Sequence, residues 1–173
     1  MGYYTVEIAD YFKNIKIYSF EPIDKNYNQL KTNITINNIN DRVKSFHIAL
    51  SDQKKEAVMW VPDKNKTGGF SIFDKNDLEL KKYNSDNIYK ENTFCDKIDN
   101  LVAIQNQKIA IKIDVERHEK FVLLGGEKLI KNNKILLQVE IFEQEKSKMN
   151  DFLRKNKFYF LAIRGKDYFY KNY

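Results

Sequence analysis

Residues 112–119, Lys-Ile-Asp-Val-Glu-Arg-His-Glu, place three carboxylates and an imidazole within eight positions. They follow Ile109-Ala110-Ile111-Lys112-Ile113, the clearest buried-strand pattern in the chain. Charged groups at the end of a buried strand cost free energy unless they are paired or put to use. If the segment stays extended, Asp114, Glu116 and His118 fall on one face at period two. Two carboxylates and an imidazole there can hold a divalent cation or act as an acid/base cluster. The competing reading is helix capping, with Glu116 and Glu119 complementing the N-terminus of the next helix. Asp114 and His118 are the catalytic candidates, and no metal is assigned.

Two further constellations carry potential chemistry. Gly2 precedes Glu21 by 19 residues, and Glu21 closes the strand pattern Ile15–Phe20 just before Pro22. In nucleotide-binding α/β folds a glycine-bearing turn opens a helix under the ligand. An acidic residue about 20 positions later then accepts both ribose hydroxyls. A carboxylate suits that task because it offers two acceptor oxygens side by side. A solvated turn residue before proline is the alternative. Ala49-Leu50-Ser51-Asp52 can set an acceptor beside an adenine amino group, or can be an ordinary Ser-Asp turn. His47 reads as a core or edge histidine, Cys95 as a small buried residue, and the aromatic C-terminus as hairpin packing.

The elements that must position these residues follow from periodicity. Tyr4, Ile8 and Phe12, with Val6 and Ala9, predict a helix ending near residues 13–14. Ile15–Phe20 is a strand that Pro22 stops. Asp24 is expected to N-cap a helix whose buried stripe is Tyr27, Leu30 and Ile34, released by Asn37-Asn38. Val43–Leu50, Val58–Val61 and Phe70–Phe73 read as strands, and 74–92 as loop. Glu119–Leu124 and Glu127–Ile130 are short helical pieces broken by Gly125-Gly126. Ile135–Ile141 is a strand, Ser147–Lys155 a helix, and Phe158–Ile163 with Tyr168–Tyr170 a closing hairpin. Strands alternating with helices predict an α/β sheet.

The 173 residues read as one domain, 1–173. With 42% hydrophobic and 14% aromatic residues there is material for a core. The net charge of +6 is spread over scattered lysines, so a solvated surface is favoured over a nucleic-acid footprint. A single cysteine excludes an intramolecular disulfide. No apolar run is long enough for a membrane span, and the start lacks a signal-peptide pattern. A cytoplasmic protein is expected by default.

In this order the motifs resemble the FkbM family of class I methyltransferases. Gly2-Tyr3-Tyr4-Thr5 is similar to the tail of that family's glycine motif, and Phe20-Glu21-Pro22 to its FEP strand end. Ala49-Leu50-Ser51-Asp52 is similar to its ALSD-type turn, and residues 112–119 to its KIDVEGHE signature. Val122–Gly126, Glu140 and Asp167-Tyr168-Phe169 fit as well. The resemblance implies a Rossmann-like sheet, mostly parallel with an antiparallel terminal hairpin, and S-adenosylmethionine as cofactor. It implies cofactor contacts at Gly2, Tyr3, Glu21, Pro22, Ser51, Asp52 and Asp114. Glu21 would hold the ribose, Ser51-Asp52 would border the adenine, and Asp114 would lie near the methyl end. His118 would be the base for a substrate hydroxyl, and the acceptor a sugar or small molecule. No membrane or nucleic acid is implied, and a homo-oligomer is compatible.

Two departures stand out. The glycine of the signature is Arg117 here. The family's first strand should precede Gly2, and that strand lies between the second and fourth in the class I sheet. The sequence therefore predicts that residues 1–14 build no first strand. It also predicts that Ile15–Phe20 and Ile109–Ile113 either pair directly or leave a weakened edge. Two rival functions go with these departures: a non-catalytic remnant of the fold, and a basic nucleic-acid-binding domain.

Overall fold

A computed structural model describes residues 2–61 and 88–173. The described residues fall into two compact units. One lies within Met1–Ala49 and Lys55–Cys95, the other within Leu50–Lys54 and Asp96–Tyr173.

The first unit opens with α1 (Tyr3–Tyr11), β1 (Ile17–Phe20), α2 (Asp24–Ile36) and β2 (Val43–Phe46). Strands β1 and β2 are parallel, from Ile17 opposite Val43 to Phe20 opposite Phe46. The expected helical stripe is what buries: Ala9, Leu30 and Ile34 pack with Ile39 and Val43, with Val6 and Tyr27 at the margin. Arg42 closes the C-terminal end of α1 by donating to the carbonyls of Ala9 and Phe12, both at 3.0 Å. Residues 3–11 being helical, no first strand forms there, as expected.

The expected strand Val43–Leu50 is broken in two. It ends at Phe46, and β3 (Ala49–Leu50) begins after His47 turns aside to stack on Tyr27. Strand β4 (Lys55–Val61) starts earlier than its apolar pattern, and the first half of β5 (Tyr89–Asp96) falls in the expected loop 74–92. The two pair antiparallel over seven residues, from Lys55 opposite Cys95 to Val61 opposite Tyr89, and β3 lies on the other side of β5. Cys95 is fully buried with Ala49 and Ala57, as a small core residue should be. The expected strand Phe70–Phe73 lies outside the described residues.

The second unit holds α3 (Ile98–Leu101), β6 (Lys108–Ile113), α4 (Glu119–Leu124) and α5 (Glu127–Lys131). After these come β7 (Lys134–Glu140), α6 (Lys146–Lys155), β8 (Tyr159–Arg164) and β9 (Asp167–Lys171). Its sheet has the order β6-β7-β9-β8. Strands β6 and β7 are parallel, while β9 is antiparallel to both β7 and β8. Ile135, Leu137 and Val139 on β7 are fully buried and form the centre of the core with Leu153 of α6. Each such side chain stabilises the fold by roughly 1.5–3 kcal/mol. Strand β8 is different: all six of its residues are exposed, and its ladder to β9 carries a bulge between Phe160 and Ala162.

Among the described residues the ladders have two, three and four strands. Parallel pairing occurs in β1–β2 and β6–β7, while β4–β5, β7–β9 and β8–β9 are antiparallel. Ile17–Phe20 and Lys108–Ile113 have, among the described residues, one ladder partner each, β2 and β7.

Candidate functional site

In the first unit Gly2 is the N-cap of α1, with φ +77°. That left-handed backbone favours glycine. A β-carbon at residue 2 would stand 2.6 Å from Leu30 Cδ1, the movable end of that side chain, so the backbone angle is the stronger reason for glycine. Tyr3 is exposed, and its hydroxyl donates to Glu7 at 3.1 Å. Glu21 follows β1, and its N–H donates to the Phe46 carbonyl, prolonging the ladder by one step. Its carboxylate Oε1 accepts the Ile23 N–H at 3.0 Å. Burial pushes the Glu21 carboxyl above its usual range, while the Ile23 and Asn26 hydrogen bonds pull the other way. Water has thus been taken from a carboxylate that keeps acceptor capacity for a further donor. Pro22 contributes its carbonyl, which accepts from Thr93 and meets His47 Nε2 at 3.1 Å.

Asp24 does not cap α2 as expected. The N-cap is Ile23, Asp24 is the first helical residue, and its N–H donates to Glu91 Oε1 at 2.6 Å. A carboxylate from β5 thus satisfies the helix end that the local sequence leaves open.

In the second unit Ser51 is almost fully buried. Its N–H donates to the Asp96 carbonyl at 2.9 Å. Its hydroxyl donates to Asp52 Oδ1 at 3.1 Å and lies 3.0 Å from His118 Nε2. The imidazole of His118 stacks on Phe121 with ring centres 4.6 Å apart. Two residues far apart in sequence, each singled out for chemistry, are therefore in direct contact.

The segment after β6 does not stay extended. Glu116 and Arg117 both have left-handed backbones, with φ +51° and +71°. The turn separates Asp114 and Glu116 from His118, so the expected single face is not formed. Instead Asp114 and Glu116 join Glu140, at the end of the neighbouring parallel strand, with one oxygen of each within 4.8 Å of the others. Burial and the Asp114 charge raise the Glu140 carboxyl above its usual range. Lys112 pairs with Asp114 at 2.8 Å, and Lys166 lies 3.7 Å from Glu140. Glu140 had no site role from sequence. The signal was available: β6 and β7 end together, with Ile113 opposite Val139, which places Asp114 beside Glu140.

Glu119, the first residue of α4, is buried and accepts the N–H groups of Arg117 at 3.1 Å and Val115 at 3.4 Å. Glu119 thus stands in the first turn of α4 as expected, but its carboxyl holds the N–H groups of the preceding turn, while Glu116 goes to the acidic group. Burial pushes the Glu119 carboxyl up to about 7. The Arg117 guanidinium lies over Phe142, 4.7 Å from the ring centre. Phe142, Lys166 and Tyr168 line a cavity of about 270 Å³.

A family model, the methyltransferase FkbM domain, matches residues 2–167. The chain belongs to the FkbM methyltransferase family. A solved FkbM methyltransferase from Methylobacillus flagellatus KT is similar in fold, with a TM-score of 0.62 at 12% identity. The similarity covers 98% of this chain and 40% of that one, so the chain spans less than half of that protein's length. No curated protein matches. Within the FkbM frame the left-handed backbone at Arg117 explains why glycine suits the signature at this position. No helix among the described residues is long and apolar enough to cross a membrane.

Proposed function

We propose that the chain is an S-adenosylmethionine-dependent O-methyltransferase acting on a sugar or small-molecule hydroxyl. The observation that carries this reading is Glu21. It is a desolvated carboxylate at the C-terminal end of a parallel strand, in a chain matched to a methyltransferase family along nearly its whole length. Its acceptor oxygens fit the paired hydroxyls of a ribose. Gly2, Tyr3 and Pro22 would flank the cofactor in the first unit. In the second, Ser51-Asp52 would border the adenine and Asp114 would face the methionine end. When bound, S-adenosylmethionine supplies an electrophilic methyl group.

The chain's own contribution is orientation and proton handling. His118 would take the proton of the acceptor hydroxyl. The cavity beside Phe142 and Tyr168 has room for a monosaccharide-sized acceptor and offers an aromatic wall with polar neighbours. A small-molecule or saccharide partner, rather than nucleic acid or membrane, goes with this reading.

Calorimetric titration of S-adenosylmethionine and S-adenosylhomocysteine into the native chain and Glu21→Ala tests the reading. Micromolar binding that weakens at least tenfold in the variant supports it. Absence of binding to the native chain overturns it in favour of the non-catalytic remnant.

A further inference from the structure

We propose that Asp24, His47 and Glu91 form a binding site for a divalent transition-metal cation of the zinc type. The three come from separate segments of the first unit: the first residue of α2, the turn after β2 and the start of β5. One carboxylate oxygen from each acid and one ring nitrogen lie within 4.8 Å of one another. His47 Nε2 stands 3.3 Å from Asp24 Oδ1 and 3.1 Å from the Pro22 carbonyl oxygen. Atoms bound to one tetrahedral zinc at about 2.0–2.2 Å stand roughly 3.3–3.5 Å apart. The imidazole and Asp24 thus already have the separation that a shared cation gives its ligands. Glu91 Oε1 is ordered by the Asp24 N–H at 2.6 Å, and a carboxylate keeps further lone pairs after that bond.

Helix capping accounts for only part of this arrangement. Glu91 Oε1 by itself meets the Asp24 N–H at the open end of α2. That task calls for neither a second carboxylate nor an imidazole, and two carboxylates this close repel unless a cation offsets them. The ring is held for the role, stacked on Tyr27 with centres 4.7 Å apart and planes 11° apart. The donor set decides the class of ion. Magnesium and calcium take oxygen ligands, whereas an imidazole nitrogen beside carboxylates suits zinc and its neighbours. Three side-chain ligands leave a fourth position for water or the Pro22 carbonyl. A cation there ties β5 and the end of β2 to the turn that carries Glu21 and Pro22. None of the three ligands is among the cofactor or catalytic residues proposed above, so the site stands independently of the methyltransferase reading.

Calorimetric titration of zinc into the metal-free full chain, with X-ray absorption spectra of the loaded protein, tests the site. One zinc per chain is expected at micromolar or tighter affinity. Its spectrum should show one imidazole, oxygen ligands at about 2.0–2.2 Å and no sulfur at about 2.3 Å. His47→Gln and Glu91→Gln should each weaken binding by roughly tenfold or more. Glutamine at 91 keeps an acceptor for the Asp24 N–H, and circular dichroism checks that both variants fold. Zinc should raise the thermal midpoint of the native chain and leave that of His47→Gln unmoved. The chain holds one other histidine, His118, and one cysteine, Cys95. Binding that is lost in His118→Gln but kept in His47→Gln, or a zinc–sulfur distance in the spectrum, overturns the proposal. So does a native chain that takes up no zinc at micromolar concentration. The titration needs no cofactor, so a failed S-adenosylhomocysteine titration would sink the methyltransferase reading and leave this result standing.

Discussion

Gly125 stands directly against the carbonyl of Ser51, so close that a β-carbon at residue 125 would lie 2.0 Å from that oxygen and 3.3 Å from Lys97 Cα. Both obstacles are backbone and cannot step aside. Gly125→Ala should therefore cost about 3 kcal/mol or more, at the upper end of overpacking penalties. Gly165→Ala meets nothing within 4 Å but has φ +64°, and should cost only about 1–2 kcal/mol. Urea denaturation of the two variants checks the ratio. Equal losses would show that the turn after α4 can move away from Ser51.

Arg117 balances two opposed terms. Its left-handed backbone costs about 1 kcal/mol, and its stacking on Phe142 returns a similar amount. Arg117→Gly should leave stability within about 0.5 kcal/mol of native. In a Phe142→Leu background the stacking is already gone, so the same change should stabilise by about 0.5–1 kcal/mol more. A double-mutant cycle measures this coupling. A coupling of zero would mean the ring contributes nothing to holding the guanidinium.

Glu119 sets a pH dependence of definite sign. Its carboxyl is pushed by burial from 4.5 up to about 7. The folded state therefore holds this proton more tightly than the unfolded chain. The resulting stability is fully present below pH 4.5 and is lost as pH rises through 7, in total about 3 kcal/mol. Glu119→Gln keeps an oxygen for the Arg117 N–H and should flatten that loss. Denaturant midpoints at pH 5 and pH 8 test it, the native chain falling between them and the variant changing little. A variant that falls as steeply as the native chain would assign the slope to another group.

Asn172 ties down three backbone groups. Its Oδ1 accepts the Ile135 N–H at 2.7 Å, and its Nδ2 donates to the carbonyls of Ile130 and Asn133 at 3.0 and 3.1 Å. Asn172→Ala should cost about 2–3 kcal/mol. Asn172→Asp keeps the acceptor but turns a charge toward two carbonyls, and should be at least as damaging. Thermal unfolding ranks the pair, and an aspartate that behaves like native would show the two carbonyl contacts to be dispensable.

Much of this could be read from the sequence where burial and local order agree. The stripe of Leu30 and Ile34, the run Ile109–Ile113 and the break at Gly125-Gly126 all sit where periodicity and turn chemistry place them. Strand β5 was missed because Tyr-Lys-Glu-Asn-Thr-Phe has little apolar alternation. Its strand character comes from seven residues of pairing to β4, which only the tertiary fold supplies. The site was half legible for the same reason. Residue types named Asp114, His118 and Ser51, but an extended chain was assumed through Glu116 and Arg117, whose backbones are left-handed. That one turn sends His118 to Ser51 and leaves Asp114 to Glu140.

Strand β8 has a consequence of its own. A strand is locked in register when shifting it by one residue would carry apolar side chains from core to water. With all six residues of β8 exposed, such a slip takes no buried side chain out of the core on that strand and loses chiefly the ring contacts of Phe160 with Tyr168 and Tyr170. The alignment information must then reside in its partner, where Tyr168 and Tyr170 are buried and cannot trade places with their neighbours, and in the bulge between Phe160 and Ala162, which marks one alignment out of several. The hairpin is thus written on one side only: β9 carries the address, and β8 reads it.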